Sequence, residues 1–143
     1  MRLWHKDLIP ALPRKQLLGQ WRECCAIARN IMKKGTPNHM LVNRIMQYPL
    51  DHFIFYSALV FGEMQNRGYD PDWKKFIGCL GNPLTEKYVT HADLYRTWHN
   101  NIYLTECYYN LMEKYECGGI SREEWEVIEK LYQHHFQMEV VYR

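Results

Sequence analysis

The chain has 143 residues, 47% hydrophobic and 15% aromatic, with 18 lysines and arginines against 16 acids for a formal charge of +2. This is enough to build the core of one domain and too aromatic for a disordered segment, while the longest strongly apolar run, Phe53 to Phe61, falls far short of the roughly 20 residues a membrane helix needs. So small a net charge nominates no polyanionic partner by itself, and the case for one must rest on where the charges lie.

Residues 1 to 13 mix apolar side chains with Pro10 and Pro13, which predicts an extended arm. After Pro13, Leu17, Trp21, Cys24, Ala28 and Ile31 recur at helical spacing and mark one apolar face of a helix that ends near Gly35. A break at Gly35-Thr36-Pro37-Asn38 precedes a short segment from about Leu41 to Tyr48, stopped by Pro49. A second long helix is expected from about Leu50 to Arg67, ended by Gly68. Tyr69 to Lys87 carries Asp-Pro and Gly-Asn-Pro breakers and reads as a connection with at most a short helix. Thr90 and Asp93 form a capping-box signature that predicts a helix to about Tyr115, closed by Gly118 and Gly119. Ser121 and Glu124 repeat the signature ahead of a last helix from about Arg122 to Phe136, with Met138 to Arg143 as an extended tail. Strand-like alternation is nearly absent and no repeat stands out. The expected fold is an all-α single domain over residues 1–143, with an arm at 1–13 and a helical body at 14–136 built on three to four long helices.

Cys24, Cys25, Cys79, Cys107 and Cys117 contain no Cys-x-x-Cys pair, and no apolar signal core opens the chain, so reduced thiols in a cytoplasmic protein are expected. The seven histidines show neither His-Glu-x-x-His nor Cys-rich zinc spacing, and adjacent His134 and His135 would point about 100° apart on a helix. Neither a metal site nor another cofactor is expected.

On the first helix, Lys15, Arg22, Arg29 and Lys33 fall within a stripe only about 40° wide. Cationic along its whole length, the stripe suits either a solvated face or a row of phosphates. Glu23 lies about 100° round from it, on the shoulder leading to the apolar face and close to Gln16 in projection. Taken alone, such a carboxylate is an ordinary ion-pair partner.

The run Met1-Arg2-Leu3-Trp4, followed after the arm by Gln16-Leu17-Leu18-Gly19-Gln20-Trp21-Arg22-Glu23, resembles the opening of the endonuclease V type of pyrimidine-dimer DNA glycosylase, whose core motif is the Arg-Glu pair. A fainter likeness continues through Phe61-Gly-Glu-Met-Gln-Asn-Arg-Gly-Tyr69 and Tyr88-Val-Thr-His-Ala92. The resemblance implies that Met1 supplies a nucleophilic α-amine, Glu23 the essential carboxylate, and Arg2 and Arg22 contacts to the DNA backbone. Lys15, Gln16, Arg29, Lys33 and His91 complete the expected DNA-binding set, with damaged double-stranded DNA as partner and no obligate protein partner. The chain departs from the phage pattern at several points. Arg2 after Met1 is expected to keep Met1 in place, where the phage enzyme exposes a threonine. Gln16 stands for a histidine and Ala26 for an arginine, and the lysine-rich aromatic tail has no clear counterpart among Trp125, Tyr132 and Tyr142.

The chemistry of such a pair stands apart from the family name. A chain α-amine has a reference pKa of about 7.7 to 8.0, so near pH 7.5 roughly a third is neutral, against about 0.1% of an unperturbed lysine. Attack on the sugar carbon C1′ displaces the base and leaves an imine, which acidifies the C2′ proton for elimination of the 3′ phosphate. A carboxylate beside that carbon steadies positive charge and assists proton transfer. Trp4, Trp21, Trp98 or Trp125 is available to stack on a displaced base or to pack in the core. Three functional classes stay open: a DNA glycosylase with abasic-site lyase activity, a non-catalytic nucleic-acid-binding helical protein, and a partner-binding helical bundle. The need for an unblocked α-amine separates the first from the second.

Overall fold

A computed structural model describes residues 1–83 and 87–141, with side chains up to residue 137. Five α-helices and two 3-10 helices, with no strand, make up the described residues: α1 (Arg14–Lys34), α2 (Leu50–Asn66), α3 (Trp73–Cys79), α4 (Asn101–Glu116) and α5 (Arg122–Val141). The 3-10 helices are Lys6–Ala11 and Asn43–Gln47. The all-α class and the four long helices follow the sequence pattern. Leu84, Thr85 and Glu86 in the connection, and Tyr142 and Arg143 at the tail, lie outside the described residues.

Helix α1 turns Leu17, Gln20, Trp21, Cys24, Ile27 and Ala28 inward against α2 and α3. It ends where expected, because Gly35 at φ 74° takes the left-handed conformation that closes a helix and returns its N–H to Ile31 O at 2.8 Å. Its first turn has no cap of its own. Glu124 of α5 supplies one, accepting the Arg14 N–H at 2.8 Å while completing its own capping box with Ser121. An aromatic cluster of Trp21, Phe61, Trp73 and Phe76 joins α1, α2 and α3, and Tyr108 stacks on Tyr132 at 3.8 Å to join α4 to α5.

Three expectations need correction. Residues 6–11 of the first segment are a 3-10 helix between α2 and α5, and the segment is core: Leu3, Leu8, Ile9 and Leu12 are almost fully buried. Pro10 is accommodated because a single short 3-10 turn asks little of its missing N–H. The helix predicted from Thr90 starts only at Asn101. The Asp93 N–H does donate to Thr90 Oγ1 at 3.2 Å, but the turn that follows is broken at Tyr95, whose φ of 49° no α-helix accepts, and Asn100 caps the true start by accepting the Tyr103 N–H. The cause is burial, since the Tyr95 ring packs among Tyr48, Tyr56, Trp98 and His99. Finally, α5 runs on to Val141, with no glycine or proline after Phe136 to stop it.

The 3-10 helix Lys6–Ala11 is fixed at its start by two stacked, buried imidazoles 5.1 Å apart. His5 Nδ1 accepts the Asp7 N–H at 3.0 Å and His99 Nδ1 accepts the Lys6 N–H at 3.0 Å, so both rings work in the neutral form. Burial drives the His5 pKa down to about 4, against smaller opposing effects led by Asp7, and holds His99 well below the ordinary range. The unfolded chain therefore takes up protons that the folded one refuses, and stability falls as pH drops from 6.5 towards about 4. His5 alone accounts for about 3 kcal/mol over that window. Thermal melts are expected to show this loss, and His5→Asn, whose Oδ1 caps without a basic nitrogen, to flatten the pH dependence while lowering the absolute Tm. An unaltered pH slope in that variant would show the imidazole not to be its source.

Candidate active site

Residues 2–4 run along α1 without joining any strand, so their backbone groups must pair with side chains. Three consecutive carbonyls do so. Arg2 O accepts from Gln20 Nε2 at 3.0 Å, Leu3 O from the Tyr103 hydroxyl at 2.5 Å and Trp4 O from the Tyr56 hydroxyl at 2.6 Å. The Trp4 N–H donates to Gln20 Oε1 at 2.8 Å, and the Tyr56 hydroxyl lies 3.0 Å from the same oxygen. Residues from α1, α2 and α4 thus hold the chain start in place, while Met1 itself is 40% exposed.

The fourth bond of Gln20 carries the arrangement to Glu23. Gln20 Nε2 donates to Glu23 Oε2 at 3.2 Å, so a single buried amide is bonded to the backbone next to Met1 and to the carboxylate one turn along the helix. Both Gln20 amide protons are used, and its Oε1 accepts the Trp4 N–H and shares the single Tyr56 hydroxyl proton with Trp4 O. The sequence reading passed over Gln20, although one signal was there: a polar residue between Leu17 and Cys24 on the apolar face of α1. Glu23 is half-buried on its shoulder, as its helical position requires.

The other expected residues divide. Lys15, Arg22, Arg29 and Lys33 are exposed along α1, as the stripe requires. Arg2 is half-buried, with its guanidinium 5.8 Å from the Trp4 ring centroid, beside Tyr103 and Cys107. Gln16 is half-buried on the Glu23 line of α1, and its Oε1 has no hydrogen-bond partner. His91 is engaged elsewhere: its Nε2 lies 2.7 Å from Asp7 Oδ1 at the first 3-10 helix, with no described contact to α1. Burial raises the Asp7 pKa, but the His91 hydrogen bond and the nearby His5 and His135 outweigh it and hold the carboxyl below its usual range.

Trp4, Trp21, Trp98 and Trp125 are all buried, which makes them core residues in this structure. Lys6, the lysine closest in sequence to the chain start, is buried as well. Its ammonium donates to His91 O at 2.5 Å, Leu94 O at 2.8 Å and Ala92 O at 3.3 Å, which occupies all three protons in bracing the 91–94 turn. All five cysteines are free thiols, and burial pushes Cys24 up to about 12. Among the described residues no three His, Cys, Asp or Glu side chains converge on a possible metal position, and no helix is long and apolar enough to cross a membrane.

A family model described as pyrimidine dimer DNA glycosylase matches residues 1–76, more than half of the chain. No curated protein and no solved structure gives a significant match. The matched part takes in the chain start, α1 with Gln20, Arg22 and Glu23, all of α2 and the opening of α3; the fainter likeness at Tyr88 to Ala92 lies beyond it. With the Arg-Glu step, the cationic face of α1 and the packed chain start inside the match, the chain belongs to the pyrimidine dimer DNA glycosylase family, a family that acts on damaged DNA.

Proposed function

We propose that the protein excises the base at a pyrimidine dimer or related lesion in double-stranded DNA and then cleaves the strand as an abasic-site lyase, with the Met1 α-amine as nucleophile and Glu23 as the catalytic carboxylate. The observation that carries this reading is the Gln20 bridge, which ties Arg2 O to Glu23 Oε2 through one side chain. A nucleophile on a chain terminus is useful only if the terminus is held near its partner group, and the three braced carbonyls of residues 2–4 support this reading by fixing the backbone that follows Met1.

The neutral amine forms a bond to C1′ as the glycosidic bond breaks, and the bond's electron pair leaves with the base, which takes up a proton. Opening of the C1′–O4′ bond, with a proton delivered to O4′, gives the protonated imine. Removal of the C2′ proton expels the 3′ phosphate, and water then releases the amine. Glu23 counters the positive charge at C1′ and relays the protons. Lys15, Arg22, Arg29, Lys33 and Arg2 contact phosphates, and Gln16, half-buried on the Glu23 line of α1, borders the nucleotide. His91 joins the contacts to DNA while keeping its bond to Asp7. The protein needs no metal or organic cofactor for this route.

Glu23→Gln is expected to keep the fold and most duplex affinity while slowing base release by roughly 100-fold or more, the scale of a lost acid–base group. Loss of several kcal/mol of stability with full activity per folded molecule would make Glu23 structural instead. Borohydride added during reaction with an abasic-site duplex is expected to trap a covalent adduct that peptide mapping places on Met1. An adduct on a lysine would displace Met1 from its role, and no adduct at all would leave a DNA-binding protein without lyase chemistry. Gln20→Leu strands the Trp4 N–H and Arg2 carbonyl, so it is expected to lower stability by about 3 kcal/mol and slow base release below that of the wild type even where fully folded.

A further inference from the structure

Between Glu23 and Asp51 the chain contains no acidic residue, although it has 16 overall. Residues 24–50 instead carry Arg29, Lys33, Lys34 and Arg44, so the cationic character of α1 continues through the connection that follows it. Arg29, Lys33, Lys34 and Arg44 are all exposed. Arg44 differs from the others in how it is held. Its guanidinium carbon lies 5.3 Å from the centroid of Trp98, a ring almost fully buried in the core. Among the described residues no carboxylate pairs with it. A guanidinium set on a rigid aromatic face has given up part of its conformational freedom and keeps its N–H donors for an acceptor from outside.

The platform also fixes where Arg44 sits. The Trp98 ring is 5.8 Å from that of Tyr103, whose hydroxyl holds Leu3 O. Arg44 is thus two aromatic rings from the chain start, reached from the second 3-10 helix and not from α1. Around it Asn38, His39, Met40, Asn43 and Gln47 line an open groove of about 550 Å³. Asn43 Oδ1 accepts the His39 N–H at 3.2 Å, and its amide protons have no partner among the described residues. Cationic and amide donors without a carboxylate suit a phosphodiester.

We infer that Arg44, seated on Trp98, binds a backbone phosphate of the DNA, so that the duplex spans both the α1 stripe and the second 3-10 helix with the chain start between them. The inference rests on the proposed action on duplex DNA. It is tested by titrating intact and abasic-site duplexes with Arg44→Gln, Arg44→Lys and the double variant Arg22→Glu/Arg29→Glu over a range of salt concentrations. Arg44→Gln is expected to raise Kd about 5- to 10-fold on both duplexes and to make the log Kd against log salt slope shallower by about 0.9, the value of one phosphate contact. Arg44→Lys should restore the slope but only part of the affinity, since a lysine keeps the charge and loses the flat stack. Melting temperatures report that each variant is folded. If Arg44→Gln leaves Kd and slope unchanged while the α1 double variant weakens binding, the Arg44 site is wrong and the DNA reading stands. If neither variant changes a salt-insensitive Kd, both fall.

Discussion

Gln20 is the side chain on which the rest of the site depends. An amide buried on the apolar face of a helix is tolerable only when all its hydrogen-bonding capacity is met, because each unmet group forfeits about 1–3 kcal/mol. In this protein its partners are the backbone of Arg2 and Trp4, the Tyr56 hydroxyl and the Glu23 carboxylate. The polar group that would weaken an ordinary core therefore dictates a unique register between the chain start and α1. Sliding the first residues by one position would break both backbone bonds to Gln20 together and move Leu3 and Trp4 out of their buried sites.

The same logic extends outward. A chain terminus would ordinarily fray, yet here residues 2–4 are braced by tyrosines from α2 and α4, and residues 6–7 by two neutral histidines and the buried Lys6 ammonium. Lys6 and His99 tie the segment to the turn at 91–99, and Tyr95 holds that turn in its unusual backbone conformation. Elements far apart in sequence thus converge to immobilise a few residues beside Met1. Met1 itself keeps access to solvent, so what is held is the backbone that follows it.

Much of this was legible in the sequence wherever one local signal decided the outcome. The apolar periodicity of α1, the Gly35 stop, the Ser121 and Glu124 box and the positions of Arg22 and Glu23 all depend on neighbours within a few residues. The segments misread are those governed by distant partners. Residues 6–11 look like an arm because their two prolines and mixed character give no helical period, and their 3-10 form comes from His5 and His99 and from packing on α2 and α5. The Thr90 box is real, but burial of Tyr95 among side chains from other elements overrides the helix it announces. Gln20 was missed because its value lies in four partners spread over α1, α2 and the chain start. The contact of His91 with Asp7 was likewise not legible, because the two lie 84 positions apart.

The proposed function implies a division of labour. On the proposed reading the exposed cations of α1 supply a contact that does not depend on base identity, while Glu23 and the chain start act on a nucleotide drawn out of the stack. Binding and chemistry therefore rest on different groups and can be separated. Selective acetylation of the α-amine in the otherwise unmodified protein tests this most directly, read as duplex affinity alongside strand cleavage at an abasic site. The account predicts that cleavage is abolished while affinity stays within about twofold, since one charge among several is removed. Cleavage that persists at the unmodified rate after complete acetylation would contradict it.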